Sequence, residues 1–291
     1  MVSDNLNALY EKLPSGVKLV AVSKFHPVAR LMEAYDAGQR LFGENRPQEH
    51  SAKVPQMPSD VEWHFIGHLQ TNKLKLVLPY VSLVQSVDSL HLLEAIDKWG
   101  RDNGKIVDVL LELHLGAEET KHGFSEEEIL SIIGAGEGIC PETASAPAPQ
   151  KSKIFGGPAI SLRPLPQDSF LPSGSELSPV GPNPVGPSLL WGRGWPQVSG
   201  QTPSPAGVKP LENVRIRGLM GMATNTEDAG VIEADFARIE ALFKRIRAEH
   251  PELDGTFTEL SIGMSGDWPI AVRHGATMVR IGTDIFGTRE Y

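Results

Sequence analysis

Two features of this sequence could do chemistry together. The first is Lys24, which follows the apolar run Val17-Lys18-Leu19-Val20-Ala21-Val22 and precedes Phe25-His26-Pro27. An amine at the end of a buried strand is partly desolvated, which lowers its pKa and leaves it nucleophilic. The other reading is a lysine that reaches solvent along its own methylene stem. The second feature is a pair of small turns, Gly263-Met264-Ser265-Gly266-Asp267 and Gly282-Thr283, each following a short apolar run. Backbone amides beside the hydroxyls of Ser265 and Thr283 suit a phosphate, and glycine lets the chain approach closely. An amine facing a phosphate site calls for a phosphorylated ligand that also carries a carbonyl.

The elements that must position these residues alternate. Strand-like runs occur at Val17–Lys24, Leu41–Gly43, Val61–Gly67, Val81–Ser86, Ile106–Leu113, Val214–Met220, Phe257–Ile262 and Met278–Ile281. Amphipathic helices fall between them. The first is a lead-in from Asn5 to Leu13, and a later one has Asp88 as its N-cap and Leu92, Leu93 and Ile96 on its face. Ser125-Glu126-Glu127-Glu128 opens another as a capping box. The clearest periodicity is Ile232, Phe236, Ile239, Phe243 and Ile246. Strand–helix alternation repeated eight times predicts a parallel (β/α)8 TIM barrel, and no glycine-rich turn after the first strand favours an open doubly wound sheet. Barrel active sites are built at the C-terminal strand ends, where Lys24, Asn45, His64, His68, Ser86, His114, Thr224, Ser265 and Arg280 fall. His64 and His68 span a strand end rather than one helix face, so they do not make a zinc pair.

One stretch departs from this pattern. Between Gly138 and Pro210 lie 15 of the 23 prolines, including Pro179-Val180-Gly181-Pro182-Asn183-Pro184-Val185-Gly186-Pro187. No helical or strand period survives that density. We therefore expect one barrel made from residues 1–138 and 211–291, interrupted by a disordered, low-complexity Pro/Gly/Ser-rich insertion at 139–210.

Composition bounds the function. A 40% hydrophobic and 22% charged chain is that of a soluble globular protein, and no apolar run reaches membrane-spanning length. A net charge of −9 argues against nucleic acid, and a single cysteine, Cys140, suits a reducing cytoplasm. On the residues alone, the ligand is pyridoxal 5'-phosphate (PLP) held as an aldimine, or a sugar phosphate handled by a Schiff-base aldolase.

A series of motifs in order sharpens this choice. They are Ala21-Val22-Ser23-Lys24, Phe42-Gly43-Glu44-Asn45, His64-Phe65-Ile66-Gly67-His68-Leu69-Gln70-Thr71-Asn72-Lys73 and Gln85-Ser86-Val87-Asp88. Lys121-His122-Gly123-Phe124, Arg217-Gly218-Leu219-Met220-Gly221-Met222, Ser261-Ile262-Gly263-Met264-Ser265 and Val279-Arg280-Ile281-Gly282-Thr283 follow. The series resembles the pyridoxal phosphate homeostasis proteins, whose barrel is of the alanine racemase N-terminal-domain type. The resemblance implies that Lys24 carries PLP as an internal aldimine and that Ser265, Gly282 and Thr283 hold its phosphate. It also implies that Arg280 lies by the pyridine nitrogen and that Asn45, His64 and Met222 line the pocket. An arginine there weakens the ring as an electron sink. The racemase takes its second base from a following domain, which the resemblance does not extend to here. The expectation is a cytoplasmic, monomeric PLP-binding protein of intracellular PLP homeostasis, with no robust turnover and no catalytic or metal-ligating residue. Apo PLP-dependent enzymes are its candidate acceptors, with no nucleic acid or membrane partner. A PLP-dependent amino-acid racemase and a Schiff-base aldolase remain the alternatives.

Overall fold

The structure is a computed structural model that describes residues 1–116, 123–135 and 211–287. The expected insertion at 139–210 lies outside the described residues, as do Lys121 and His122. Eight parallel strands close into a barrel in sequence order: β1 (Lys18–Val22), β2 (Leu41–Glu44), β3 (Glu62–Phe65), β4 (Leu83–Val87), β5 (Val107–Leu113), β6 (Val214–Gly221), β7 (Glu259–Ser261) and β8 (Met278–Ile281). Closure comes from β1 pairing with β8, Leu19 opposite Val279 and Ala21 opposite Ile281. The helices are α1 (Val2–Tyr10), α2 (Val28–Asp36), α3 (Pro47–Lys53), α4 (Leu74–Val77), α5 (Leu90–Asn103), α6 (Glu126–Gly134), α7 (Ala229–Glu249), α8 (Trp268–Arg273) and α9 (Thr283–Phe286).

Local signals explain most of these boundaries. The capping box at Ser125 forms as its sequence demands, with Ser125 and Glu128 exchanging side-chain and backbone hydrogen bonds. Two boundaries differ from expectation. The first helix starts at Val2 and ends at Tyr10, burying Leu6 and Leu9 but not Leu13. The cap of α5 is Ser89, whose hydroxyl accepts from the Leu92 amide, because the neighbouring Asp88 carboxylate pairs with His68 at 2.9 Å.

The apolar core lies in two places. The larger part packs helices against the outside of the barrel, through residues such as Phe42, Phe65, Leu93, Phe236 and Ile281. A smaller cluster, Val20, Leu83, Leu110, Met220 and Met278, fills the barrel interior from five strands. Gly218 allows the β5–β6 register to shift between Val109 and Leu110. A Cβ there would fall 1.8 Å from the Glu259 carbonyl oxygen, at a φ of +152°, so no other residue fits this close approach.

Candidate functional site

Strand β1 ends at Val22, and Lys24 stands in the turn beyond it, half-buried. That turn is held from beneath by a buried ionic network. Glu44, fully buried at the end of β2, accepts from the Ser23 hydroxyl at 2.8 Å and from Lys53 Nζ at 2.6 Å. Its other oxygen accepts from the backbone amides of Asn45 and Arg46, at 2.7 and 3.3 Å. Lys53 also donates to the Ser23 carbonyl at 2.8 Å and to Glu49 at 3.0 Å. The next residue, Phe25, has a φ of +67°, in the left-handed region that a bulky side chain avoids. Its amide donates to Glu49 at 3.0 Å, and the Arg46 guanidinium lies 4.1 Å above its ring. Strain of this kind persists only where the surroundings over-determine it.

The turns after β7 and β8 converge on the same end of β1. A Cβ on Gly282 would lie 3.2 Å from Val22 Cβ, so the second turn rests on the strand that leads to Lys24. Burial raises the pKa of Asp284, beside Thr283, and the Ser265 hydroxyl acts on it to oppose that rise. The His26 and Phe286 rings lie 4.7 Å apart, and Arg30 donates to the Phe286 carbonyl at 2.8 Å, tying the Lys24 turn to α9.

Below this mouth a hydrogen-bonded chain crosses the barrel. Arg280, only 5% exposed, donates through Nη1 to the Ser261 carbonyl and hydroxyl at 2.8 and 2.7 Å, and through Nη2 to the Gly221 carbonyl at 2.9 Å. Ser261 donates to Gln85 Oε1 at 2.7 Å, and Gln85 Nε2 meets His64 Nδ1 at 2.7 Å. The amide can only donate to that ring nitrogen, which assigns the proton to Nε2, 3.5 Å from Glu62. Every link points the same way, from the guanidinium to the carboxylate, so each polarises the next. Burial lowers the pKa of His64 below its ordinary value, against the pull of Glu62, and keeps the ring neutral. Burial likewise brings Arg280 down to about 10, opposed by Glu112 and Asp267.

Beside the mouth lies a cavity of about 280 Å³, walled by Asn45, Ile66, Gly67, His68, Ser86, Asp88, Glu112, Leu113, His114, Leu115 and Met222. The expected site residues therefore fall into three groups. Lys24, Ser265, Gly282 and Thr283 gather where the ends of β1, β7 and β8 meet. Asn45 and Met222 line the cavity, on the side of β2 to β6. Arg280 and His64 belong to the interior chain, and His64 is not on the cavity wall, because it is an inward residue of β3 held by Gln85. Sequence reasoning missed Glu112, Gln85, Ser261 and the Glu44–Lys53 pair as working residues. Glu112 carried a signal, being a carboxylate in phase with Leu110 in a strand whose only other charged residue is Asp108 at its start. It is 7% exposed, and burial pushes its carboxyl up to about 7, with Arg280 lowering it and Asp88 raising it.

Comparisons with known proteins agree with this architecture. The family model "Alanine racemase, N-terminal domain" matches residues 1–142. A pyridoxal phosphate homeostasis protein of Vibrio alginolyticus is 28% identical over 285 residues, covering 96% of this chain and 90% of its own. The solved structure of PipY from Synechococcus elongatus with PLP bound is 30% identical, with a TM-score of 0.67 over 99% of this chain and 100% of that one. Its structure without PLP superposes with a TM-score of 0.69 at 29% identity. With a closed eight-stranded parallel barrel and similarity to these relatives along nearly the whole chain, the chain belongs to the pyridoxal phosphate homeostasis protein family.

Proposed function

We propose that this protein binds PLP through Lys24 and holds it for storage and delivery in the cytoplasm, as a monomer with no robust turnover of its own. The observation that carries this reading is the meeting of the two hydroxyl-bearing turns with the end of β1, above a buried arginine. PLP supplies an aldehyde that condenses reversibly with amines and a ring that can draw electrons from the attached carbon.

The residues present fit such a group. Lys24 offers the amine, and the network of Ser23, Glu44 and Lys53 fixes the turn that carries it. Ser265, Gly282 and Thr283 offer hydroxyl and amide donors for a phosphate. Arg280 has its Nε–H uncommitted among the described residues and stays charged at pH 7, so it can donate to an acceptor such as a ring nitrogen while its other nitrogens are fixed by Ser261 and Gly221. Asn45 and Met222 border the space beside it. The homeostasis names of the relatives support storage and delivery over catalysis, with apo PLP-dependent enzymes as acceptors. Residues 1–138 and 211–291 form the binding unit.

The test is spectroscopic. The purified chain should take up added PLP, gain a visible absorbance band, and after borohydride reduction carry the pyridoxyl group on Lys24 by peptide mass. Lys24→Ala should show neither signal. Chiral chromatography of amino acids incubated with the loaded protein should show no interconversion above background. A parent protein that takes up no PLP, or a Lys24→Ala variant with the same spectrum, refutes the reading.

A further inference from the structure

The cavity between β2 and β6 has two carboxylates on its wall, Glu112 and Asp88. Glu112 is 93% buried and faces this space, yet its carboxyl has no hydrogen-bond partner among the described residues. Asn45, on the same wall, has its Oδ1 buried beneath the cavity surface with no partner among the described residues. The neighbouring groups do not answer them. The Ser86 hydroxyl is turned to the Gly67 carbonyl at 2.5 Å, and the His68 ring is engaged by Asp88. A carboxyl set this deeply with no side-chain hydrogen bond among the described residues is costly to ionise, and a ligand that brings donors into the cavity would relieve it. The wall also holds a second carboxylate, Asp88, so the favoured donor carries positive charge. A primary ammonium fits, because it is compact and presents three N–H donors and no acceptor.

We propose that this cavity is a subsite for the ammonium head of a small primary amine, with Glu112 as its main acceptor and Asp88 as the second negative charge on its wall. The subsite lies on the opposite side of the barrel mouth from β8. Its meaning for cofactor exchange rests on the PLP reading, since an amine held there stands in the same mouth as Lys24. Its charged groups, Glu112 and Asp88, are not among the residues assigned to the cofactor. Glu112 faces Arg280 from β8, Asp88 from the loop after β4, His68 from the loop after β3, and His114 from its own strand. Its carboxyl must ionise to hold a cation well, and it does so near neutral pH. Binding should therefore strengthen from pH 6 to pH 8, with proton release at the lower pH.

Titration of the cofactor-free protein with n-butylamine, followed by ligand-observed NMR and calorimetry, tests this, with n-butanol and butyrate as controls. Butylamine should bind and the two controls should not. Glu112→Gln, which keeps the shape, should weaken butylamine by about tenfold or more, the value of a hydrogen bond to a charged group. Asp88→Asn should weaken it by a smaller factor, and serves as the second variant if Glu112→Gln alters folding. Lys24→Ala, which removes PLP uptake, should leave butylamine affinity within about twofold, so this proposal and the PLP reading fail separately. Equal binding of butylamine and butanol, no loss in either wall variant, or no binding at millimolar amine would overturn it.

Discussion

Replacing Glu44 with glutamine probes the support beneath Lys24 most directly. The carboxylate answers four donors, two at each oxygen. Glutamine has one acceptor oxygen and one NH2 group. If its oxygen faces the Asn45 and Arg46 amides, the NH2 points at the Ser23 hydroxyl and the Lys53 ammonium, donor against donor. If it faces the other way, the two backbone amides are orphaned. Either orientation also leaves Lys53, whose side chain is 8% exposed, without its closest counter-charge. Removing one partner of a buried pair typically costs about 3–5 kcal/mol. Because Lys53 keeps Glu49 at 3.0 Å, the loss should sit near the lower end, about 3 kcal/mol. Urea denaturation at pH 7, comparing parent, Glu44→Gln and Glu44→Gln/Lys53→Met, measures it. The double variant should recover at least half of the loss, because no buried charge is left alone. A single variant within about 1 kcal/mol of the parent, or a double variant no more stable than the single, would show that the pair does not hold this turn.

Two other perturbations report on the interior. The Glu112 carboxyl has a folded-state pKa of about 7 against 4.5 for the free group, so its protonated form stabilises the fold at low pH and that contribution is lost as pH rises through about 7. Glu112→Gln should therefore gain on the parent by up to roughly 3 kcal/mol between pH 4 and pH 8 in parallel denaturation series; a constant difference across that range would mean the carboxyl is not perturbed. Gln85→Leu leaves His64 Nδ1 and the Ser261 hydroxyl unanswered inside the barrel, and should cost roughly 2–5 kcal/mol by urea denaturation, where an unchanged midpoint would remove the chain from consideration.

The same contrast runs through the whole molecule. Glu112 was visible as one of two carboxylates in β5, but nothing near it in sequence says that it faces a cavity or Arg280 while Asp108 pairs with Arg215. Gln85 and Ser261 are 176 positions apart, and only closure of the barrel brings them to 2.7 Å. Asp88 looked like a helix cap by its position, and pairing with His68 from the neighbouring strand end overrode that local preference. The boundary at Val22 and the strained turn at Phe25 were equally hidden, since that turn is fixed by Glu49 and Arg46 from a different unit of the barrel.

The sequence by itself determined the alternation of strands and helices, the capping box at Ser125, the lysine beyond the first strand and the small turns after the last two. Those features rest on periodicity, capping and turn chemistry, which act over a few residues. Tertiary structure alone decided which polar groups meet. Parallel pairing stacks inward side chains from different strands into layers, so the partners of Arg280, His64 and Glu44 were chosen by barrel closure and register. The placement of His64 in the interior chain rather than on the cavity wall is the plainest case, because its neighbours come from β4 and β7 and through them from β8.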